Sequence, residues 1–351
     1  MSQPTDEAPD ADRPVPPPPA DRRASPATLR DVAAAAGVSV ALVSYALNGT
    51  GRVSATTEAR ILQIADQLGY RANRLARALR TGRYSTIGVI IRNLRNPLFA
   101  DVLSAMEDEA RVQGLALTIR NSRYDLEDQQ RLLDSLVDDG VRAIVIAPVG
   151  TGDELTAWQR QHAHIPLVAL NMSMPRTTSL STINPDHQEA VRLAVEHLAA
   201  RGHRTITFVA APRHLAADLT REIAFVEQCA RLGVTPRTLR TKLTVEAVQR
   251  AVAADLADRD RREAPAFLLN SDHLAAGVYH AARGADLELG HDLSVVGHDD
   301  LPSSDLLAPG LTTIAFDRDQ LGRDAVRLAL SPGSQEHIAL PVRLVVRESV
   351  R

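Results

Sequence analysis

One cysteine and one lysine stand in a chain of 351 residues. The lone thiol, Cys229, excludes a disulfide framework and any cysteine-based zinc site, and it suits a reducing compartment. The lone lysine, Lys242, among 40 basic residues reflects genomic base composition and carries no mechanism. No apolar run approaches the ~20 residues that span a bilayer, so no membrane partner is expected. A signal peptide needs a basic start and an apolar stretch; residues 1–20 are acidic and proline-rich instead, which predicts a cytoplasmic protein. What is present is enough to fold: 44% of residues are hydrophobic and 24% charged. At ~100–200 residues per domain, the length predicts two or three domains.

Signatures of catalysis are also missing. There is no Gly-x-x-x-x-Gly-Lys-Ser/Thr loop, no Gly-x-Ser-x-Gly and no Cys/His dyad at recognisable spacing. The histidines include His162/His164 and His291/His298, but no His-x-x-x-His pair with a third ligand. Asp299-Asp300 is a carboxylate pair in sequence only, because neighbours on an extended segment face opposite ways. Neither enzyme activity, nor a metal, nor a cofactor is expected.

Charge is distributed unevenly. Residues 1–21 carry −4, residues 22–83 carry +7 and the remainder −6, within an overall −3. A compact basic segment on an acidic body is the electrostatic footprint of a nucleic-acid module. Residues 1–26, with Pro14 and Pro16–Pro19, read as a disordered acidic tail. From Thr28 the pattern predicts three short helices. Thr28 caps Leu29–Ala36, Gly37 makes a tight turn, Ser39 caps Val40–Leu47, and Ser54 opens Ala55–Leu68. Ile61, Ile64, Ala65 and Leu68 recur at i, i+3, i+4, i+7, one buried stripe. On the second helix Val43, Ala46 and Leu47 face inward, leaving Val40, Ala41, Ser44 and Tyr45 outward together. This is a helix-turn-helix pattern.

Beyond Tyr84 strand-like runs (Ile87–Ile91, Leu115–Ile119, Ala143–Ile146, Leu167–Leu170) alternate with amphipathic helices. A second series follows in Thr205–Val209, Ala266–Leu269 and Leu293–Val296. Two such series predict two doubly wound α/β lobes with a ligand cleft at the strand carboxyl ends.

The segment Thr28-Leu-Arg-Asp-Val-Ala-Ala-Ala-Ala-Gly-Val-Ser-Val-Ala-Leu-Val-Ser-Tyr-Ala-Leu-Asn-Gly49 resembles the signature of the lactose/galactose repressor (LacI/GalR) family. Further matches run through Val53-Ser54, Leu68–Arg71, Asn73–Leu79, Ile87-Gly88-Val89, Asn96–Phe99, Glu196-His197-Leu198 and Arg201-Gly202-His203. They continue at Val295–Asp300, Leu311–Ile314 and Leu344–Ser349, so they cover nearly all of the chain after the tail. The resemblance implies a mixed α/β protein: an all-α helix-turn-helix headpiece at 27–72, a hinge helix and linker at 73–83, and a two-lobed periplasmic-binding-protein-like body at 84–351. The lobes are expected at about 84–184 plus 313–330 and about 185–312 plus 331–351. It also implies a regulator, a repressor in the first instance, that binds palindromic operator DNA as a homodimer and answers to a small effector, a carbohydrate. A solute-binding module without specific DNA recognition is the alternative.

Carried over residue by residue, the resemblance places DNA contacts on Thr28, Leu29, Ser39, Val40, Ala41, Ser44, Tyr45, Asn48, Arg52, Ser54 and Thr57. In the hinge they fall on Asn73, Arg74, Ala76, Arg77 and Leu79. The residue matching Leu79 wedges between central base pairs in the family, while arginines neutralise phosphate. Effector positions fall on Asn96, Leu98, Phe99, Asn171, Arg221, Ser271, Asp272, Asp299 and Phe316. With five Phe in the chain, two at cleft positions offer faces to sugar C–H groups. Several positions depart from the family: Leu42 stands where threonine is usual, Ala72 where proline is, Asn171 where an acid is frequent, and His298 where an aromatic is common. No leucine heptads follow the Leu344–Ser349 match, so no tetramerisation helix is expected.

Overall fold

The structure is a computed structural model that describes residues 27–48, 53–70, 85–172, 180–215, 219–259, 264–331, 333 and 335–351. The chain divides into two compact units, Met1–Arg77 and Ala78–Arg351. The division falls inside the 73–83 segment, which lies outside the described residues, as do the acidic tail, Arg52 and the hinge positions Asn73, Arg74, Ala76, Arg77 and Leu79.

The first unit holds α1 (Leu29–Ala36), α2 (Val40–Asn48) and α3 (Ala55–Gln67). Thr28 starts α1 through a capping box: its backbone N–H and hydroxyl both donate to Asp31, each at 2.7 Å, and its hydroxyl accepts from the Asp31 N–H. Gly37 stops the helix at φ 64°, the left-handed conformation that a side chain disfavours. The chain then turns, so that α1 and α2 are bent by 105°, within the range of helix-turn-helix pairs. The Ser39 hydroxyl accepts from Leu42 N–H at 3.2 Å, and the Ser54 hydroxyl from Thr57 N–H at 3.3 Å, fixing where α2 and α3 begin. Four of the seven buried core residues are alanines (33, 36, 46 and 65), packed with Val32, Val43 and Ile61. So small a core places much of the stability on its three larger members.

The second unit contains two six-stranded sheets. β1 (Thr86–Ile91), β2 (Ala116–Asn121), β3 (Ala143–Ile146), β4 (Leu167–Leu170) and β5 (Ser181–Pro185) are joined by α4 (Leu98–Val112), α5 (Leu126–Asp138) and α6 (Asp153–Gln161). After β5 come α7 (His187–Ala200), β6 (Thr205–Ala210), α8 (Leu219–Leu232), β7 (Thr235–Arg240), α9 (Val245–Ala257), β8 (Ala266–Leu269), α10 (Ala275–Gly284) and β9 (Ser294–His298). The chain ends with α11 (Pro302–Asp305), β10 (Thr312–Phe316), α12 (Arg318–Leu330), β11 (His337–Leu340) and β12 (Val342–Val345). The sheet orders are β11-β5-β4-β3-β1-β2 and β12-β10-β9-β8-β6-β7. Every pairing is parallel except β10 with β12.

Parallel strands are buried on both faces, which is why they read as continuous apolar runs. In β1, Ile87, Val89 and Ile91 pack under α4 and α12, while Ile90 faces the opposite core with Leu133, Leu136 and Trp158. The second sheet is covered likewise, by α7 and α8 on one face and α9 and α10 on the other. α12 reaches α4 closely because Gly322 has no side chain: a Cβ there would stand 2.5 Å from the Val102 carbonyl oxygen.

The chain crosses between the sheets three times, after β5, after β10 and after β11. This corrects the expected lobe limits. Thr312–Phe316 pairs with β9 in the second sheet, whereas the expectation gave 313–316 to the first lobe; His337–Leu340 pairs with β5 in the first sheet, whereas 331–351 was expected wholly in the second. Strands of four or five residues carry no mark of which sheet they join; Ile314 belongs to the second core only by contact.

Candidate functional site

In the first unit α2 presents two different faces. Val43 and Ala46 are buried in the core and Leu47 half-buried against it. Val40 is 42% and Tyr45 50% exposed, Ala41 is exposed and Ser44 half-buried. An amphipathic helix does not normally turn a valine and a tyrosine to water, and this exposed pair lies next to Ala41 on one side of α2. Thr28, Ser39 and Ser54 are exposed beside the helix starts, with Leu29 and Thr57 half-buried. Asn48 closes α2, its side chain outside what is described. Arg60 of α3 donates to the Ala36 carbonyl and so locks α3 against the turn that sets α2. The face offers methyl groups and one phenolic hydroxyl, with no Arg or Gln able to pair bidentately with guanine or adenine.

In the second unit the carboxyl ends of strands from both sheets converge on one cavity. Arg92 and Asn93 follow β1, Asn171 follows β4, Asn270 and Ser271 follow β8, and Asp299 follows β9. Asn96, Leu98 and Phe99 come from the start of α4, and Arg221 from the first turn of α8. Tyr124, Asn171 and Asp299 line this cavity with φ of 60°, 52° and 116°. Left-handed backbone at non-glycine residues stores strain and concentrates at functional sites. The enclosed space is about 40 Å³, room for roughly three waters. In this arrangement of the lobes the space is smaller than a sugar.

Two hydrogen bonds hold the lobes together across this space. Asn96 Nδ2 of the first lobe donates to Ser271 Oγ of the second at 3.2 Å, and Arg221 Nη2 donates back to Asn171 Oδ1 at 3.4 Å. Ser271 Oγ in turn donates to Asp299 Oδ2 at 2.7 Å, and His298 Nδ1 supports Asp299 Oδ1 at 3.0 Å. Arg221 Nη1 also donates to the Asn270 carbonyl at 3.1 Å. At the crossover, Arg318 of α12 donates to the carbonyls of Asp299 and Asp300, both at 2.6 Å, and pairs with Asp101 at 2.9 Å. Next to His298, their rings 6.2 Å apart, lies His187, buried, with neither ring nitrogen hydrogen-bonded among the described residues. Burial first, then the charges of Arg221, His298 and Arg92, hold its pKa well below 6.5. The imidazole is therefore neutral near pH 7.

Seven of the nine expected effector positions line the cavity: Asn96, Leu98, Phe99, Asn171, Arg221, Ser271 and Asp299. Asp272 and Phe316 do not. Ser271 is extended and aims at the cleft, so its neighbour points the other way. The buried Asp272 carboxylate accepts from Thr313 Oγ1 and Ser304 Oγ, each at 2.6 Å, and from Leu301 N–H at 3.0 Å. Burial, then the nearby Asp299, pushes its pKa up to about 7. Phe316 ends β10 with its ring 5.8 Å from that of His298, and it borders a separate surface hollow. The expectation missed Arg92, Asn93, Tyr124, Asn270 and His273. The signal for three of them was available: Arg92 and Asn93 directly follow the Ile87–Ile91 run, and Asn270 follows Ala266–Leu269. Those are the strand ends where doubly wound folds bind ligands.

Among the described residues no group of three His, Cys, Asp or Glu side chains is placed to hold a metal ion. No single described helix is long and apolar enough to cross a membrane. Asp299 and Asp300 diverge, the first toward Ser271 and the second to Arg347 at 2.9 Å. Cys229 is buried, and burial pushes its thiol up to about 12, far from a nucleophile's range.

Comparison with known proteins agrees with both halves. Residues 28–73 match the bacterial regulatory proteins of the lacI family, and residues 195–350 match the periplasmic binding protein-like domain. The ribose operon repressor of Halalkalibacterium halodurans is 29% identical over 92% of this chain and 97% of its own length. The HTH-type transcriptional repressor PurR of Erwinia tasmaniensis is 27% identical over 87% of this chain and 89% of its own. A crystal structure of the Lac repressor dimer bound to operator and the anti-inducer ONPF superposes with a TM-score of 0.81 and 28% identity, covering 93% of this chain and 99% of that one. These relatives are named as repressors. This chain joins a lacI-family DNA-binding domain, at residues 28–73, to a periplasmic binding protein-like domain, at residues 195–350.

Proposed function

We infer that the protein is a sequence-specific transcriptional repressor whose affinity for operator DNA is set by a small effector in the interlobe cleft. The observation that carries this is one chain holding both an outward Val40/Ala41/Tyr45 face on a helix-turn-helix and a polar, strained cleft where two sheets present their strand ends. α2 enters the major groove, where Val40 and Ala41 contact thymine methyls and the Tyr45 hydroxyl contacts a base edge. Thr28, Leu29, Ser39, Ser44, Asn48, Arg52, Ser54 and Thr57 make the headpiece's remaining contacts with DNA. The 73–83 segment pairs with its counterpart in a second subunit, and Leu79 opens a central base step while Arg74 and Arg77 neutralise phosphate. A two-fold homodimer of this kind requires a palindromic operator. The protein acts in the cytoplasm and performs no chemistry on its ligand.

The effector is a carbohydrate, as the name of the ribose operon repressor suggests for that relative. Asn96, Asn171, Ser271, Arg221 and Asp299 supply donors and acceptors for hydroxyl groups, and Phe99 a face for ring C–H. Its entry replaces the Asn96–Ser271 and Arg221–Asn171 bonds, so lobe geometry depends on occupancy. Operator affinity then changes by a coupling free energy of ~1–3 kcal/mol. Selection of bound sequences from a random duplex pool tests the reading: a palindrome is expected, bound ~10³–10⁷-fold above bulk DNA. An unselected pool that binds as well as any enriched sequence would reduce the protein to a non-specific DNA binder.

A further inference from the structure

The charges lining the cleft do not balance. Among the described residues that line it, Arg92 and Arg221 are the cations and Asp299 the anion. Asp299 is already committed, accepting from Ser271 on one oxygen and from His298 on the other. Arg92 spends one donor on the Pro148 carbonyl at 3.0 Å, and no described carboxylate pairs with it. A half-buried guanidinium with open donors is poorly served by neutral hydroxyls and well served by the planar fork of a carboxylate or phosphate.

A second group asks for a ligand independently. Asn270 is 6% exposed, lines the same cavity, and has neither Nδ2 nor Oδ1 hydrogen-bonded among the described residues. A buried amide with both functions unmade is costly unless something arrives to meet it. His187, close enough to feel both arginines, brings no negative charge: burial first, then Arg221, His298 and Arg92, keep it neutral.

We propose that the effector is a small polyol bearing an anionic group, phosphate or carboxylate, which Arg92 receives while Asn270 bonds the adjoining hydroxyl. This rests on the carbohydrate reading of the cleft and narrows it. A neutral sugar would leave Arg92 without a counter-charge as the lobes closed around it and excluded water. An anion removes that cost, so closure itself becomes selective for charge.

Calorimetric titration of the full-length protein tests this with three sets of probes: neutral pentoses and hexoses, their phosphate esters, and the corresponding aldonic and uronic acids. Inorganic phosphate alone is the control. The expected result is that a phosphate ester or a sugar acid binds at least tenfold more tightly than its neutral parent, and that its affinity falls with added NaCl. The two charged sets separate phosphate from carboxylate. Arg92→Gln abolishes the charge preference, and Arg92→Lys, which keeps the charge but loses the fork, retains part of it. Neutral parents binding as well as their charged derivatives, with Arg92→Gln affecting both alike, would overturn the proposal and leave the carbohydrate reading standing. Arg92-dependent binding of inorganic phosphate with no gain from any sugar derivative would overturn both, as would binding by none of the three sets.

Discussion

The headpiece and the cleft solve recognition with opposite materials. On α2 the face turned to water is valine, alanine and tyrosine, with the positive charge carried by arginines elsewhere in the segment. In the cleft the working groups are amides, a carboxylate and guanidiniums, buried among one another. The difference follows from what each surface meets. DNA brings its own dense charge, so a flat helix face needs shape and a few contacts while long-range attraction does the rest. A small molecule brings little area, so the cleft must enclose it and answer each polar atom.

The sharpest way to break the comparison is to take one half away. Removing residues 1–83 should abolish operator binding in a mobility-shift assay, a loss of at least ~10³-fold, while the remaining body keeps its effector affinity. Retained operator binding would place recognition in the body. Next in size, Ile61→Ala should cost the headpiece ~2–5 kcal/mol, because the core it belongs to is mostly alanine. Calorimetry should show the headpiece transition lost or lowered with the body's transition unmoved.

On the other side of the comparison, Asp299→Asn should weaken effector binding by ~1.5–3 kcal/mol, the worth of hydrogen bonds to a charged group, with operator affinity of the ligand-free protein unchanged. Tyr45→Ala should cost ~1–3 kcal/mol of specific binding and leave bulk-DNA affinity as it was. If bulk and specific affinities fell together, Tyr45 would be a phosphate contact, not a reader.

The smallest effect concerns acid. His187 is held neutral in the folded chain, with a pKa well below 6.5, whereas the unfolded chain takes up a proton as the pH falls through that value. Its contribution to stability is therefore present above pH 6.5 and lost below it. His187→Leu should shrink the stability lost between about pH 7 and pH 5.5 by about 1 kcal/mol, measured by denaturant unfolding at both pH values.

The two regions also differ in how far the sequence alone discloses them. All three headpiece helices were legible nearly to the residue, because a capping threonine, an αL glycine and a period of 3.6 are local signals. The alternation of β and α elements in the body was equally legible. The allocation of Thr312–Phe316 and His337–Leu340 was not, since a strand's sheet is chosen by distant contacts. Similarly, the cleft and seven of its lining residues were legible, and the rest of its lining was not. Asp272 and Ser271 are neighbours with opposite destinations, and nothing local tells them apart.

One measurement bears on the whole account. Operator affinity of the intact protein is titrated with and without saturating effector, and effector affinity with and without operator. Linkage requires the two ratios to be equal, and the proposed coupling puts each at roughly 5–150-fold. Ratios of one in both pairs of titrations, for a compound that controls the protein's target genes, would mean that cleft and headpiece do not communicate.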